Sequence, residues 1–461
     1  MIFHGMLIFS IVSTTKILKG RPAPALDFFI FLCYNYYIIK KGSNLYMLNK
    51  DNQRELSYVV KIDGIEPIVG SDNCEAALVG GWKVMVRKGT FQPGDLAIYF
   101  EIDSHVDTTK PEFAFLEKKH GNVKTQKYTF GGKNPGFYSQ GLLMSAKDFG
   151  GMGYQDGEGQ FYLHFGKNSY FKENVNFKEG DFLTEKLGVT YAVAEDNKRK
   201  ANSNPDAKIN AALARHPKIA KKYGKLIKKN KFLRALFVAL FGKKKDARKW
   251  PSHIAAKTDV ERIQNMMYIF QDKQPYVATE KIDGSSCSVM AERGKFGKIK
   301  YYVCSRNVVF EDEKQPCYYD ENIYFEAYKK YNLREKITQI LNDYNLVNVA
   351  LQMEVYGPGV QKRDYSLKEH NAAIFHIVTE GKKMPMDTVV EICEKYELPH
   401  VPIVDDNFIF PNTIEELQQF VEGEGSKVDG KPREGIVFYD KATGQQYTKF
   451  VSPEFLLKFH S

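Results

Sequence analysis

Between Leu56 and about Gly188 the apolar positions come in short β-prone runs. Tyr58–Ile62, Trp82–Val86 and Leu96–Ile102 read as strands, and Gln92-Pro93-Gly94-Asp95 as the turn between the last two. A related turn, Lys178-Glu179-Gly180-Asp181, precedes Phe182 and Leu183. Short strands joined by Gly-rich turns predict a small β-barrel, with the Gly-rich patches 131–141 and 150–159 as loops on it.

Beyond Trp250-Pro251 the pattern changes. Asp259–Phe270 reads as a helix, Tyr276–Ala278 as a strand, and Asn322–Tyr344 as mostly helical. Ala350–Val355, Ala373–Val378 and Gly435–Tyr439 are strand-like, and Met386–Tyr396 has helical spacing. That mixture predicts an α+β domain. Between the two regions, Ala211–Leu213, Leu226, Ile227 and Phe232–Phe241 give a broken helical pattern with lysines between.

Charge sharpens this division. The chain of 461 residues has a formal charge of +10, but residues 196–249 alone hold 18 Lys and Arg against 3 Asp. The remainder is therefore net acidic, and the basicity belongs to one segment. Such a segment suits nucleic-acid backbones, an anionic membrane surface, or a solvated linker. The six cysteines form no CxxC pair and no zinc-like spacing, so free thiols in a reducing compartment, cytoplasmic or nuclear, are expected. The apolar stretch Phe28–Ile39 has 12 residues, short of the roughly 20 that cross a bilayer. Residues 1–46 are expected to lie outside the folded unit as an over-extended reading frame, with Met47 as the ordinary start and no membrane insertion. The expected organisation is a β-barrel domain at 47–190, a basic helical insert at 191–250, and an α+β domain at 251–461.

Three Lys-x-Asp-Gly tetrapeptides occur, at Lys61, Lys281 and Lys427. Such a cluster offers a nucleophilic amine, a carboxylate two residues on, and a glycine that lets backbone approach phosphate. An ordinary lysine has a pKa near ~10.4, so its surroundings must favour the neutral amine before it can attack. Context separates the three. Lys61 reads as a barrel strand ending in a turn, and Lys427 as a solvated turn in a Gly- and Glu-rich loop. Lys281 follows the strand Tyr276-Val277-Ala278-Thr279, and further elements follow it in order. These are Ser305-Arg306-Asn307, Met353-Glu354-Val355-Tyr356-Gly357, Ile374-Phe375-His376-Ile377, Arg433-Glu434-Gly435 and Tyr447-Thr448-Lys449-Phe450.

That ordered set resembles motifs I, Ia, III, IIIa, IV and V of the covalent nucleotidyltransferases, which comprise DNA ligases, RNA ligases and mRNA capping enzymes. Met-Glu-Val-Tyr-Gly-Pro-Gly at 353–359 is most similar to the RNA ligase 2-like branch. Most DNA ligases and capping enzymes carry an OB domain after the nucleotidyltransferase domain, whereas here the barrel-like region comes first. That order resembles an RNA ligase family with an N-terminal OB domain, as do Gly80-Gly81-Trp82, Tyr99-Phe100-Glu101-Ile102-Asp103, Ser139-Gln140-Gly141-Leu142 and Thr258-Asp259-Val260-Glu261-Arg262. The fold expected is an OB-like β-barrel followed by an ATP-grasp-like adenylyltransferase domain of antiparallel sheets and helices.

The resemblance implies roles. Lys281 would be the nucleophile and take AMP from ATP. Asp283, Glu354 and Glu434 would hold Mg²⁺, or Mn²⁺, through its water shell. Glu280, Ile282, Arg306, Phe375 and Lys458 would join Lys281, Glu354, Glu434 and Lys449 in the ATP site. Within it Phe375 would stack on adenine, and Lys449 would bind the α-phosphate and act in catalysis. Position 451 is Val where several RNA ligases have a second lysine, and Lys458 is the next basic residue. The substrate implied is nicked RNA or an RNA-containing duplex. Alternatives are a DNA ligase, a capping-type guanylyltransferase, or a non-catalytic nucleic-acid-binding protein.

Overall fold

The computed structural model describes residues 55–130, 136–192, 209, 213, 217–241, 248–258, 260–271, 273–315, 317–319, 321–444 and 446–460. The expectations for residues 1–46 lie outside the described residues. Residues 53–461 form one compact unit.

Thirteen short strands build the N-terminal half of the described chain. They are β1 (Ser57–Lys61), β2 (Gly64–Pro67), β3 (Cys74–Val79), β4 (Trp82–Arg87), β5 (Leu96–Phe100), β6 (Ser104–His105), β7 (Gln126–Tyr128), β8 (Phe137–Ser139), β9 (Leu142–Met144), β10 (Gly151–Gln155), β11 (Phe161–Phe165), β12 (Val175–Phe177) and β13 (Thr190–Tyr191). They pair antiparallel as β1-β5-β9, β2-β3-β4, β7-β8, β10-β11-β12 and β13-β6. Alternate residues enter one core of Val59, Ile98, Phe100, Phe113, Phe149, Leu163, Phe165 and Phe177. Each such fully buried side chain stabilises the fold by about 1.5–3 kcal/mol before entropy is counted. This is an OB-fold region of antiparallel strands. In the patch 150–159, residues 156–159 form a turn, but Gly151–Gln155 pairs along its length with Phe161–Phe165. A partner strand, invisible to local composition, supplies its hydrogen bonds.

Ten further strands follow: β14 (Tyr276–Lys281), β15 (Ser285–Arg293), β16 (Ile299–Ser305), β17 (Val309–Phe310), β18 (Asn348–Tyr356), β19 (Asn371–Thr379), β20 (Lys382–Lys383), β21 (Ile403–Phe408), β22 (Gly435–Asp440) and β23 (Gln446–Val451). They form a four-stranded sheet β21-β14-β22-β23 and a six-stranded sheet β17-β16-β15-β18-β19-β20. One core ties Val277, Val437 and Tyr439 of the first to Val289, Leu351 and Ile377 of the second. It also takes in Leu333, Ile337, Val389 and Ile392 of the helices Leu333–Asp343 and Met386–Lys395. The second face of the four-stranded sheet packs on the helix Ile414–Gly423 through Leu417 and Val421.

The helix expected over 259–270 is replaced by two 3₁₀ turns, Ile263–Asn265 and Met267–Gln271. The reason is tertiary. The Glu261 carbonyl accepts from Lys449 N and Thr448 Oγ1, and the Gln264 carbonyl accepts from Gly81 N. Acceptors that an α-helix would use internally are spent on β23 and on the OB domain.

Candidate active site

Lys281 ends β14 directly opposite Gly435, the first residue of β22. Glu434 stands one residue earlier, so the register delivers its carboxylate to the ammonium. Lys281 Nζ lies 2.7 Å from Glu434 Oε1, with side chains 24% and 10% exposed. Residues 282–284 then cross from the four-stranded to the six-stranded sheet. The crossing is tight: a Cβ on Gly284 would sit 2.4 Å from Val355 O and 2.9 Å from Glu354 Cγ. Side chains other than glycine are thereby excluded, and Glu354, opposite Ser286 in the β15–β18 pair, is brought against the Lys281 turn.

Electrostatics confirm that these groups share one field. Burial pushes the Glu354 carboxyl up to about 8, with Glu434 and Asp283 adding to the rise while Lys281 and Arg306 oppose it. For Lys281, burial favours the neutral amine, but Glu434, Glu354 and Asp283 outweigh it and hold the pKa above its ordinary value. The sequence-predicted Lys281, Asp283, Glu354 and Glu434 therefore converge, with Arg306 within Coulombic reach. Ile282 is buried beneath the turn.

Lys449 and Lys281 project from the same face of the four-stranded sheet. Lys449 pairs with Val437, which pairs with Thr279, two residues before Lys281. One strand separates them and they are offset by two residues along it, so their backbones stand about 12 Å apart. Phe375 is the extra residue of a β-bulge: Gln352 faces His376 while Met353 faces Ile374. Bulges re-aim side chains, and this one leaves the Phe375 ring only partly buried. Lys458 lies exposed on the helix Pro453–His460, its ammonium 5.3 Å from the Phe459 ring.

Glu280 is almost fully buried and held from the third Lys-x-Asp-Gly element. Ser426 Oγ donates to one of its carboxylate oxygens and Lys427 N to the other, at 2.7 Å. Burial raises the Glu280 pKa, and these donors offset part of the rise. The 427–430 element is thus more than a solvated turn. Its lysine side chain is exposed, but Asp429 is buried in an ion pair with Arg363 at 2.5 Å. Arg363 stacks over Tyr365, whose hydroxyl oxygen accepts from Asp283 N at 2.6 Å. Sequence reading missed Ser426, Asp429, Arg363 and Tyr365. The only local signal was the tetrapeptide itself, whose Gly- and Glu-rich surroundings read as a solvated turn.

Among the described residues, no three His, Cys, Asp or Glu side chains stand close enough to ligate one ion directly.

A lysine set among carboxylates at the meeting of two antiparallel sheets is the arrangement expected of a covalent nucleotidyltransferase site. Residues 274–458 match the RNA ligase family model, and residues 56–144 match an OB-fold domain model. Residues 274–458 thus carry an RNA ligase domain, and an OB-fold domain precedes it. The fold of the chain is similar to solved structures of Naegleria gruberi RNA ligase. A substituted form with ATP and Mn is 22% identical, covering 88% of this chain and 100% of that one, with a TM-score of 0.61. A form with pyrophosphate is 23% identical, covering 88% and 99%, with a TM-score of 0.59. Another substituted form, with AMP and Mn, is 22% identical over the same shares, with a TM-score of 0.60. No curated protein matches the chain.

Proposed function

We propose that this RNA ligase uses ATP to seal 3′-OH/5′-phosphate nicks through an adenylate on Lys281. The observation that carries the reading is the 2.7 Å contact of Lys281 with Glu434 inside the field of Glu354 and Asp283. Lys281 Nζ attacks the α-phosphorus of ATP; an N–P bond forms and pyrophosphate leaves. An RNA 5′-phosphate oxygen then attacks the adenylate phosphorus and releases Lys281. Finally the 3′-OH attacks the activated 5′-phosphorus, the phosphodiester forms, and AMP departs. Lys449 on the same sheet face would counter charge at the α-phosphate, Arg306 would meet the ribose or the RNA end, and Phe375 would stack on adenine. Forms of the Naegleria ligase hold ATP, AMP and pyrophosphate, the substrate and products that this reading requires.

The oxygen donors Asp283, Glu354 and Glu434 fit a divalent cation such as Mg²⁺ or Mn²⁺. They would hold it through its waters, because Mg²⁺ gives up its hydration shell reluctantly. Such an ion would counter the carboxylates that now hold Lys281 protonated, and so favour the neutral amine.

The test is to incubate the chain with α-labelled ATP or GTP, wild type beside Lys281→Ala. Label from ATP that survives denaturation, is absent in the variant, and passes to a nicked RNA 5′-phosphate supports the reading. Label from GTP alone points to capping chemistry, and no label from either, in folded protein, ends the catalytic reading.

A further inference from the structure

The helices Pro217–Lys229 and Lys231–Phe241 form a hairpin that the ligation chemistry does not use. Its small core is Ile209, Leu213, Ile227 and Phe237. At 100° per residue, Lys221, Lys222, Lys225, Lys228 and Lys229 fall within about 120° of the first helix. All five are exposed. Every other residue from Ile219 to Ile227 lies on the opposite half, which turns Ile227 and Gly224 inward. No acidic residue occurs between Asp206 and Asp246, so nothing within the segment neutralises this arc.

The chain that follows the hairpin packs beside Arg306. Arg248 bridges to Val309, and Lys257 Nζ donates to Asn307 at 3.0 Å. Asn307 lies on the loop that carries Arg306, and Val309 opens β17 directly after it. Six residues lie between Phe241 and Arg248, so the two are at most about 24 Å apart.

We infer that the lysine arc of Pro217–Lys229 is an accessory surface that grips the phosphate backbone of the RNA substrate close to the end held near Arg306. This rests on the ligase reading. Regularly spaced ammonium groups on a rigid helix complement a polyanion and add affinity without reading sequence. A helix lying on a membrane would need its apolar arc outward, and here Gly224 and Ile227 of that arc are turned into the hairpin. Tyr223 at 46%, Leu226 at 56%, Phe232 at 74% and Leu236 at 45% exposed are the apolar exceptions, and a lipid arm of the experiment reads them.

The experiment compares the full chain with a variant carrying Lys→Gln at 221, 222, 225, 228 and 229, and with the matching Lys→Arg variant. Glutamine and lysine have similar helix propensity, so circular dichroism should not change. Each variant is assayed for the Lys281 adenylate, for affinity to nicked duplex RNA across a salt series, and for binding to phosphatidylcholine vesicles containing phosphatidylserine. The expected result is an unchanged adenylate yield with RNA binding at least about tenfold weaker at low salt in the Gln variant. The slope of log affinity against log salt should also fall by about 0.7–0.9 for each phosphate that the lysines no longer neutralise. The Arg variant should keep both affinity and slope. Unchanged RNA affinity and slope in the Gln variant would overturn the inference. So would loss of vesicle binding alone, which would assign the arc to lipid. A chain that forms no adenylate while the Gln substitutions still weaken RNA binding would sink the ligase reading and leave the surface standing.

Discussion

The indole N–H of Trp82, in the OB domain, donates to Asn265 Oδ1 at 2.5 Å. The Asn265 amide nitrogen donates in turn to Glu101 of the OB domain at 3.2 Å and to Glu261 at 2.8 Å. One neutral side chain thus sits between two buried carboxylates, on the segment whose backbone holds Lys449. Arg262 completes the seam with an ion pair to Asp103 at 3.2 Å.

Asn265→Asp should therefore be costly. It replaces a donor with a third carboxylate in a site that already holds two, leaving buried charge without compensation. We expect a loss of about 3 kcal/mol. Thermal unfolding checks this, and a variant as stable as wild type would show that the seam does not hold the domains together.

Glu434→Gln keeps the shape of the Lys281 partner but removes its charge. Lysine adenylylation should fall by about 10²–10³-fold, the loss typical when one electrostatic group is removed from a reacting centre. Single-turnover labelling with ATP reads the rate directly. A rate within a few-fold of wild type would remove Glu434 from the chemistry.

Ser426→Ala and Lys427→Ala should behave differently although they are neighbours. The first removes a donor to the buried Glu280 carboxylate, at a cost of about 1.5–3 kcal/mol for a bond to a charged group. The second removes an exposed side chain and leaves the backbone N–H that binds Glu280, so stability should change by about 0.5 kcal/mol or less. Denaturant unfolding of the pair decides, and equal losses would contradict the account of the 427–430 loop.

His370 gives a pH signature. Its Nδ1 lies 2.7 Å from Glu326 Oε2 and its Nε2 lies 2.8 Å from the Pro358 carbonyl, so both ring nitrogens face acceptors. Burial favours the neutral ring, but the two bonds and the Glu326 charge outweigh it and raise the pKa. The folded pKa exceeds the unfolded value of about 6.5, so this stabilisation is complete below that pH. It is lost as pH rises through the folded pKa. His370→Gln should lose this component of the slope of stability against pH above about 6.5 while other groups keep theirs. An identical slope in the variant would show that the imidazolium contributes nothing.

What the sequence determined by itself was order. The α+β class, the OB region ahead of the catalytic domain, and the succession Lys281, Arg306, Glu354, Phe375, Glu434, Lys449 are all legible because each motif is a short local pattern. Strand alternation was legible for the same reason. Tertiary structure alone decided what meets what. Lys281 finds Glu434 through the β14–β22 register, across 153 residues of chain. Gly284 brings Glu354 in by close approach, and the bulge in β19 presents Phe375. The 261–265 segment gave up its helix because its carbonyls found donors in β23 and in the OB domain. The Lys427 tetrapeptide, which read as a solvated turn, instead holds Glu280 in place. In each case the deciding partner lies far away in sequence, so no local pattern could reveal it.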